Sequence, residues 1–131
     1  MYKRQVPCGF DAHKKAFYIE SYQRLQRGEV LDDDHREDYL FGRDELSSVF
    51  KFLRKYSPYT GGIDWMAYSL QKEINFFCVL IACDILTELG LVTQTIEDGV
   101  TTYTVVPTSS KANIATAPTY MALQKLSLTK Q

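Results

Sequence analysis

The sequence predicts a mostly helical α+β domain with a single β-hairpin, on three observations. Residues 75–106 run from a long apolar segment of helical character straight into two short alternating segments separated by Asp98-Gly99. That dipeptide marks a two-residue type I′ connection, because both central positions need positive φ. Two further helical segments, over 43–56 and 64–71, precede the long one. Three helices followed by a two-stranded wing is the order of a winged-helix-like core, here extended by an N-terminal helical arm. The usual task of such a core is DNA recognition, so the residues on its reading surface decide the function.

Taken in order, residues 13–27 read as the helix of the arm, with Phe17, Tyr18, Tyr22 and Leu25 roughly on one side. Residues 28–41 form a strongly charged connector, with a candidate boundary at residue 42. Over 43–56, Leu46, Val49, Phe50 and Leu53 keep the i, i+3, i+4, i+7 spacing of one buried face. Lys51, Arg54 and Lys55 sit toward its C-terminal end, where the helix dipole favours cations. Ser57-Pro58-Tyr59-Thr60-Gly61-Gly62 breaks the helix. Asp64 is expected to cap a short helix reaching about Gln71, and Asn75 to cap the long one, which stops with Gly90 in the C′ position. Pairing outward from the turn sets Ile96 opposite Thr101, Gln94 opposite Tyr103 and Val92 opposite Val105. One hairpin face is then largely apolar (Val92, Ile96, Tyr103, Val105) and the other carries Thr93, Thr95, Glu97, Thr102 and Thr104, so a half-buried hairpin is expected. Residues 107–116 read as irregular and 119–126 as a short terminal helix. The expected organisation is an arm and linker over 1–42, the winged-helix-like domain over 43–106 and a tail over 107–131.

Composition narrows the function classes. The chain has 131 residues, 45% hydrophobic and 24% charged, with a formal net charge of −1. That balance suits one globular domain and gives no overall field toward nucleic acid or an anionic membrane. The longest apolar run, over 74–83 and broken only by Asn75, is too short to span a bilayer, and Met1 is followed by no signal-peptide core. No membrane partner is expected, and the location expected is the cytoplasm. Cys8, Cys78 and Cys83 are odd in number and fit buried free thiols in a reducing compartment better than a disulfide frame or a zinc site. Met1-Tyr2-Lys3-Arg4-Gln5 back-translates, with a GTG start, to GTG-TAT-AAG-AGA-CAG, which resembles the end of a transposon-based sequencing adapter. Residues 1–5 are therefore a candidate sequencing artefact, with the true protein continuing upstream.

Charge is uneven along the chain. Residues 61–106 hold one basic side chain (Lys72) against six acidic ones (Asp64, Glu73, Asp84, Glu88, Glu97, Asp98), and this is the segment expected to read DNA. On a wheel at 3.6 residues per turn, Cys78, Val79, Ala82, Ile85, Leu86 and Leu89 fall on the core side of the long helix. Phe77, Leu80, Asp84, Thr87 and Glu88 fall opposite, flanked by Phe76 and Ile81. Base reading wants Arg, Lys, Asn or Gln on that surface, and carboxylates facing a polyanion repel it. Duplex binding in the usual pose is thus disfavoured. Phe76, Phe77, Leu80 and Asp84 become candidate protein-docking residues. The alternative is cover from within the protein, by the N-terminal helix or by Tyr120, Met121 and Leu123, or from a further part of a larger protein.

Lys51, Arg54, Lys55 and Tyr59, beside Tyr56, Trp65 and Tyr68, are candidate contacts for single-stranded DNA, since aromatic rings stack bases and adjacent cations track the backbone. Asp32-Asp33-Asp34-His35 with Glu37 and Asp38 reads as a solvated linker, because consecutive residues of a connector do not converge on a metal ion. Neither His13 nor His35 has a partner at zinc-site spacing, and Gly61-Gly62 lacks the Lys-Ser/Thr of a phosphate loop. No catalytic, cofactor or metal residue is expected in this chain.

Three blocks in sequence carry a resemblance. Arg43-Asp44-Glu45-Leu46 followed by Val49-Phe50-Lys51-Phe52-Leu53-Arg54, then residues 85–92 (Ile-Leu-Thr-Glu-Leu-Gly-Leu-Val), then Ala117-Pro118-Thr119-Tyr120, match in order and spacing the C-terminal domain of Firmicutes-type RecJ single-strand-specific exonucleases. In that domain the corresponding patterns are R-E-x-L-x-x-V-Y-x-x-L-R, vF-x-E-L-g-L-I and S-P-T-Y. The similarity covers roughly residues 43–124, with Gly42 where proline commonly precedes the arginine and Ala117 where serine is common. It implies a parent 5′→3′ exonuclease on single-stranded DNA in recombination and repair, using Mn2+ or Mg2+ through DHH-type aspartate and histidine motifs. Those motifs are absent here, and Asp34-His35-Arg36 is not one of them. The resemblance therefore implies a non-catalytic, monomeric accessory domain that contacts the parent's catalytic core or repair proteins. The competing expectation, a freestanding winged-helix transcription regulator, requires a homodimer and salt-sensitive duplex affinity.

Overall fold

The computed structural model describes residues 12–107 and 112–130. The pentapeptide 1–5 and Cys8 lie outside them. The elements are α1 (Ala12–Gln26), a 3-10 turn (Asp33–His35) leading into α2 (Arg36–Tyr39), α3 (Arg43–Tyr56), α4 (Ile63–Ser69), α5 (Phe76–Glu88), β1 (Val92–Glu97), β2 (Val100–Val105), a second 3-10 turn (Ile114–Thr116) and α6 (Pro118–Lys125). This is a mostly helical α+β architecture with one two-stranded antiparallel sheet.

The organising element is α5. Its sequence, FFCVLIACDILTE, is apolar around most of the circumference, the pattern of a helix enclosed on most sides, with Asp84, Thr87 and Glu88 gathered beside Leu80 on one partly open stripe. Nine of its thirteen residues are buried, and α1, α2, α3, α4 and α6 all pack against it. Asn75 caps its start, accepting from Cys78 N–H at 2.9 Å while its amide donates to the Asp38 carbonyl at 2.7 Å. Its end is a Schellman turn: Leu91 N–H donates to Leu86 O at 3.0 Å, Gly90 N–H donates to Thr87 O at 3.1 Å, and Gly90 takes φ +77°. Both terminators agree with the sequence.

The hairpin register is the expected one, Val92↔Val105 through Glu97↔Val100, with Asp98 and Gly99 at φ 51° and 78°. Its burial differs from expectation. Val92 and Tyr103 are buried, whereas Ile96 is 72% exposed. Six-residue strands reach about 20 Å, so the tip passes beyond the helical core and only the base is covered. Tyr59 adds one antiparallel rung to β2, through Tyr59 N–H to Tyr103 O at 2.8 Å and the reverse bond at 2.9 Å.

Three further expectations are corrected. The boundary at residue 42 is not a packing boundary, because Tyr18 and Leu25 of α1 and Leu31, Tyr39 and Phe41 of the connector belong to the same core as α3 and α5. The tail over 107–131 is integral as well. Ile114, Ala117, Leu123 and Leu128 are core residues, and Phe41 N–H donates to Leu128 O at 2.9 Å while Lys130 N–H donates to Phe41 O at 2.8 Å. Helix α4 is capped at Gly62 (φ +90°) instead of Asp64, whose carboxylate pairs with Lys15 of α1 at 2.5 Å.

Candidate functional site

The docking residues named from the wheel do not form a surface patch. Phe77 is fully buried, its ring 4.9 Å from that of Tyr39, Phe76 and Ile81 are buried as well, and Leu80 and Asp84 are half-buried. The wheel divided α5 into a core side and an outer side on the premise of a three-helix core. The outer side holds in part: Leu80, Asp84 and Thr87 are half-buried and Glu88 is exposed, one partly open stripe, whereas Phe77 is covered from within the protein by Tyr39.

Asp84 and Glu88, one turn apart, have different fates. Glu88 accepts from Thr119 N–H at 3.0 Å and from the Thr119 hydroxyl at 2.6 Å, so its carboxylate sits at the N-terminus of α6, where helix dipole and free N–H groups favour an anion. Asp84 has no such donor among the described residues; burial, then the neighbouring Glu88 charge, push its carboxyl up to about 6. The thiols of Cys78 and Cys83 are pushed up to about 12 by burial, which makes them poor nucleophiles. Among the described residues no group of three His, Cys, Asp or Glu side chains converges as a metal site, and no helix is long and apolar enough to cross a membrane.

The second set of candidates lies on α3, and the structure divides it. Helix α3 starts with Glu45 accepting from Gly42 N–H at 2.9 Å and pairing with Lys130, which anchors its acidic first turn to the C-terminal strand segment. Its Val49 and Leu53 point into the core, so the residues opposite face water. Lys51, Arg54 and Lys55 are exposed there, as the sequence suggested. Tyr59 is only 3% exposed: its backbone is the rung on β2 and its hydroxyl donates to Gly62 O at 2.8 Å. It cannot offer a ring face to a ligand. Tyr56, at 48% exposure, can.

Two grooves flank this ridge. On one side, Arg43, Phe50, Arg54, Leu89, Leu91 and Ile114 line a depression of about 620 Å³ with an apolar floor and two guanidinium groups at its rim. Arg54 lies over the Phe50 ring, 5.7 Å from its centroid. On the other side, Phe52, Tyr56, Pro58, Tyr59 and Trp65 line a groove of about 310 Å³. Phe52 packs between Tyr56 (4.8 Å) and Tyr59 (5.1 Å), and the Lys55 ammonium stands 5.4 Å from the Tyr56 centroid. Sequence reasoning did not single out Arg43 as a site residue. Its place at the first groove depends on the fold bringing residues 43–54, 86–91 and 105–114 together, and no local spacing signals that.

No protein-family model, curated protein or solved structure matches the chain.

Proposed function

We propose that the chain is a non-catalytic accessory domain of a RecJ-like 5′→3′ single-strand exonuclease, acting through contacts with the parent's catalytic core or with repair proteins. In this reading α3, the Tyr59 rung, α4, α5 and the hairpin are a winged-helix module. Their order is helix, short strand pairing with the last strand, helix, helix, wing, which supports that assignment. The observation that carries the functional reading is the enclosure of α5. The helix that would enter a major groove has nine of its thirteen residues buried, turns only the stripe of Leu80, Asp84, Thr87 and Glu88 toward solvent and has no basic residue, and the wing tip carries Glu97 and Asp98. A freestanding duplex-reading regulator is disfavoured for the same reason. What remains exposed are grooves beside α3, which suit contacts to other molecules.

The test is the gene upstream. The reading frame should continue N-terminally into DHH-type motifs, and its full product should degrade single-stranded DNA from the 5′ end with Mn2+ or Mg2+. Deleting the whole unit, residues 12–131, should weaken association with the core's partners while leaving the metal-binding motifs in place. An upstream frame without DHH motifs overturns the proposal, as does tight, sequence-selective duplex binding by the 131-residue chain.

A further inference from the structure

We propose that the exposed ridge of α3, with the aromatic groove beside it, is a binding site for single-stranded nucleic acid, in which Lys51, Arg54 and Lys55 carry the phosphates and Tyr56 stacks a base. This site rests on surface geometry alone and stands whether or not the parent is a nuclease.

Charge gives the first argument. The three cations fall within about 100° of arc on α3 and rise about 6 Å along it, so they form one stripe. From Leu46 to Tyr56 the helix has no acidic residue. Two of the carboxylates nearby are engaged: Glu73 accepts from the Ser48 hydroxyl at 3.0 Å, and Asp64 is paired with Lys15 at 2.5 Å. With a net charge of −1 on the whole chain, this stripe is a local exception, and a polyanion is attracted here while the acidic hairpin tip repels it.

Shape gives the second. Single strands are bound by pairing a cationic track with rings on which bases stack, because every base offers a π-face. The Tyr56 ring, half open to solvent and backed by Phe52, is such a platform; the exposed Lys55 ammonium lies over it at 5.4 Å and must swing aside, onto a phosphate, for a base to stack. Trp65 forms the far wall of the groove, whose volume of about 310 Å³ is at the small end for organic ligands, roughly 300–1,000 Å³. A duplex cannot use it, since paired bases do not expose their faces. A proline-rich peptide would suit the aromatic walls but has no use for three cations.

The experiment is fluorescence anisotropy of the 131-residue chain with a labelled oligothymidylate about 15 nucleotides long. Non-specific binding with a Kd on the order of 10⁻⁵ M is expected at low salt. Three phosphate contacts at about −0.7 each give a log–log salt slope near −2, or roughly 20-fold weaker binding between about 50 and 200 mM salt. Tyr56→Ala should weaken binding about 5- to 150-fold, whereas Tyr56→Phe, which keeps the ring, should bind as wild type. The double variant Lys51→Gln, Lys55→Gln changes only exposed side chains and should reduce the slope to about −0.7. Absence of binding at low salt overturns the proposal. So does binding that neither variant weakens, equal affinity for a duplex of the same length, or tighter binding of a polyproline peptide.

Discussion

Replacing Asp84 by Asn should stabilise the fold at neutral pH and not in acid. Asp84 projects from α5, half-buried, one turn from Glu88, and no donor among the described residues satisfies its charge in the way that Thr119 satisfies Glu88. Burial and the Glu88 charge raise its carboxyl from 3.8 to about 6. Between those two values the folded protein holds a proton that the unfolded chain has released. Stability therefore falls as pH rises through this window, and the penalty is complete above about pH 6. At 1.36 kcal/mol per pH unit the full difference corresponds to about 3 kcal/mol, and the carboxylate's remaining contact with water reduces this to about 1–1.5 kcal/mol. Asn keeps the shape without the charge, and its amide can reach the same water. Urea denaturation followed through Trp65, the single tryptophan, gives the comparison. The variant should exceed wild type by about 1 kcal/mol at pH 8 and match it at about pH 4. An equal gain at both pH values, or a loss at pH 8, would refute the account of Asp84 as a charge held against burial.

Three other substitutions test the architecture by the same denaturation measurement. Phe77→Ala should cost about 3–5 kcal/mol, the range for a large ring removed from a packed core; a change under about 0.5 kcal/mol would return Phe77 to the surface. Asn75→Ala should cost about 1–2 kcal/mol, because it removes the cap on Cys78 N–H and leaves the Asp38 carbonyl without its donor. Ser127→Gly should stabilise by about 0.5 kcal/mol. Ser127 ends α6 in the left-handed region (φ 58°), where a Cβ costs about 1–2 kcal/mol, and glycine's greater freedom in the unfolded chain returns part of that gain. A loss of stability in Ser127→Gly would mean that its side chain carries an interaction beyond the turn.

What the sequence made legible was local. Asp98-Gly99 fixes the hairpin register because a two-residue turn leaves no slack, and Asn75 and Gly90 mark the ends of α5 through bonds made within one helical turn. The exposed cations of α3 were legible because a regular amphipathic helix shows its wet face. What failed was non-local. Phe77 shares the outer side of the α5 wheel with Leu80, Asp84 and Glu88, and could be placed only by knowing that Tyr39, from a distant segment, covers it. Tyr59 and Tyr56 are equally aromatic and three residues apart; only the rung to Tyr103, 44 positions later, buries one and leaves the other open. The charged connector concealed Leu31, Tyr39 and Phe41 because its apolar residues come in two short runs, Val30-Leu31 and Tyr39-Leu40-Phe41, separated by seven polar residues and without a period.

The enclosure of α5 and the cations of α3 are two consequences of one arrangement. A helix as apolar as α5 is stable only if other elements surround most of it, and they leave partly open only the stripe of Leu80, Asp84, Thr87 and Glu88. Once they do, α3 becomes the helix with an exposed basic ridge, because its own inner face is spent on α5 and the hairpin base. The acidic side chains of the middle segment then lie at helix junctions and at the wing tip: Asp64 on Lys15, Glu88 on α6, Glu97 and Asp98 at the turn. Such a distribution leaves a polyanion no approach through α5 or the wing. In the site proposed above, a single strand would run along Lys51, Arg54 and Lys55, beside the groove lined by Tyr56 and Trp65.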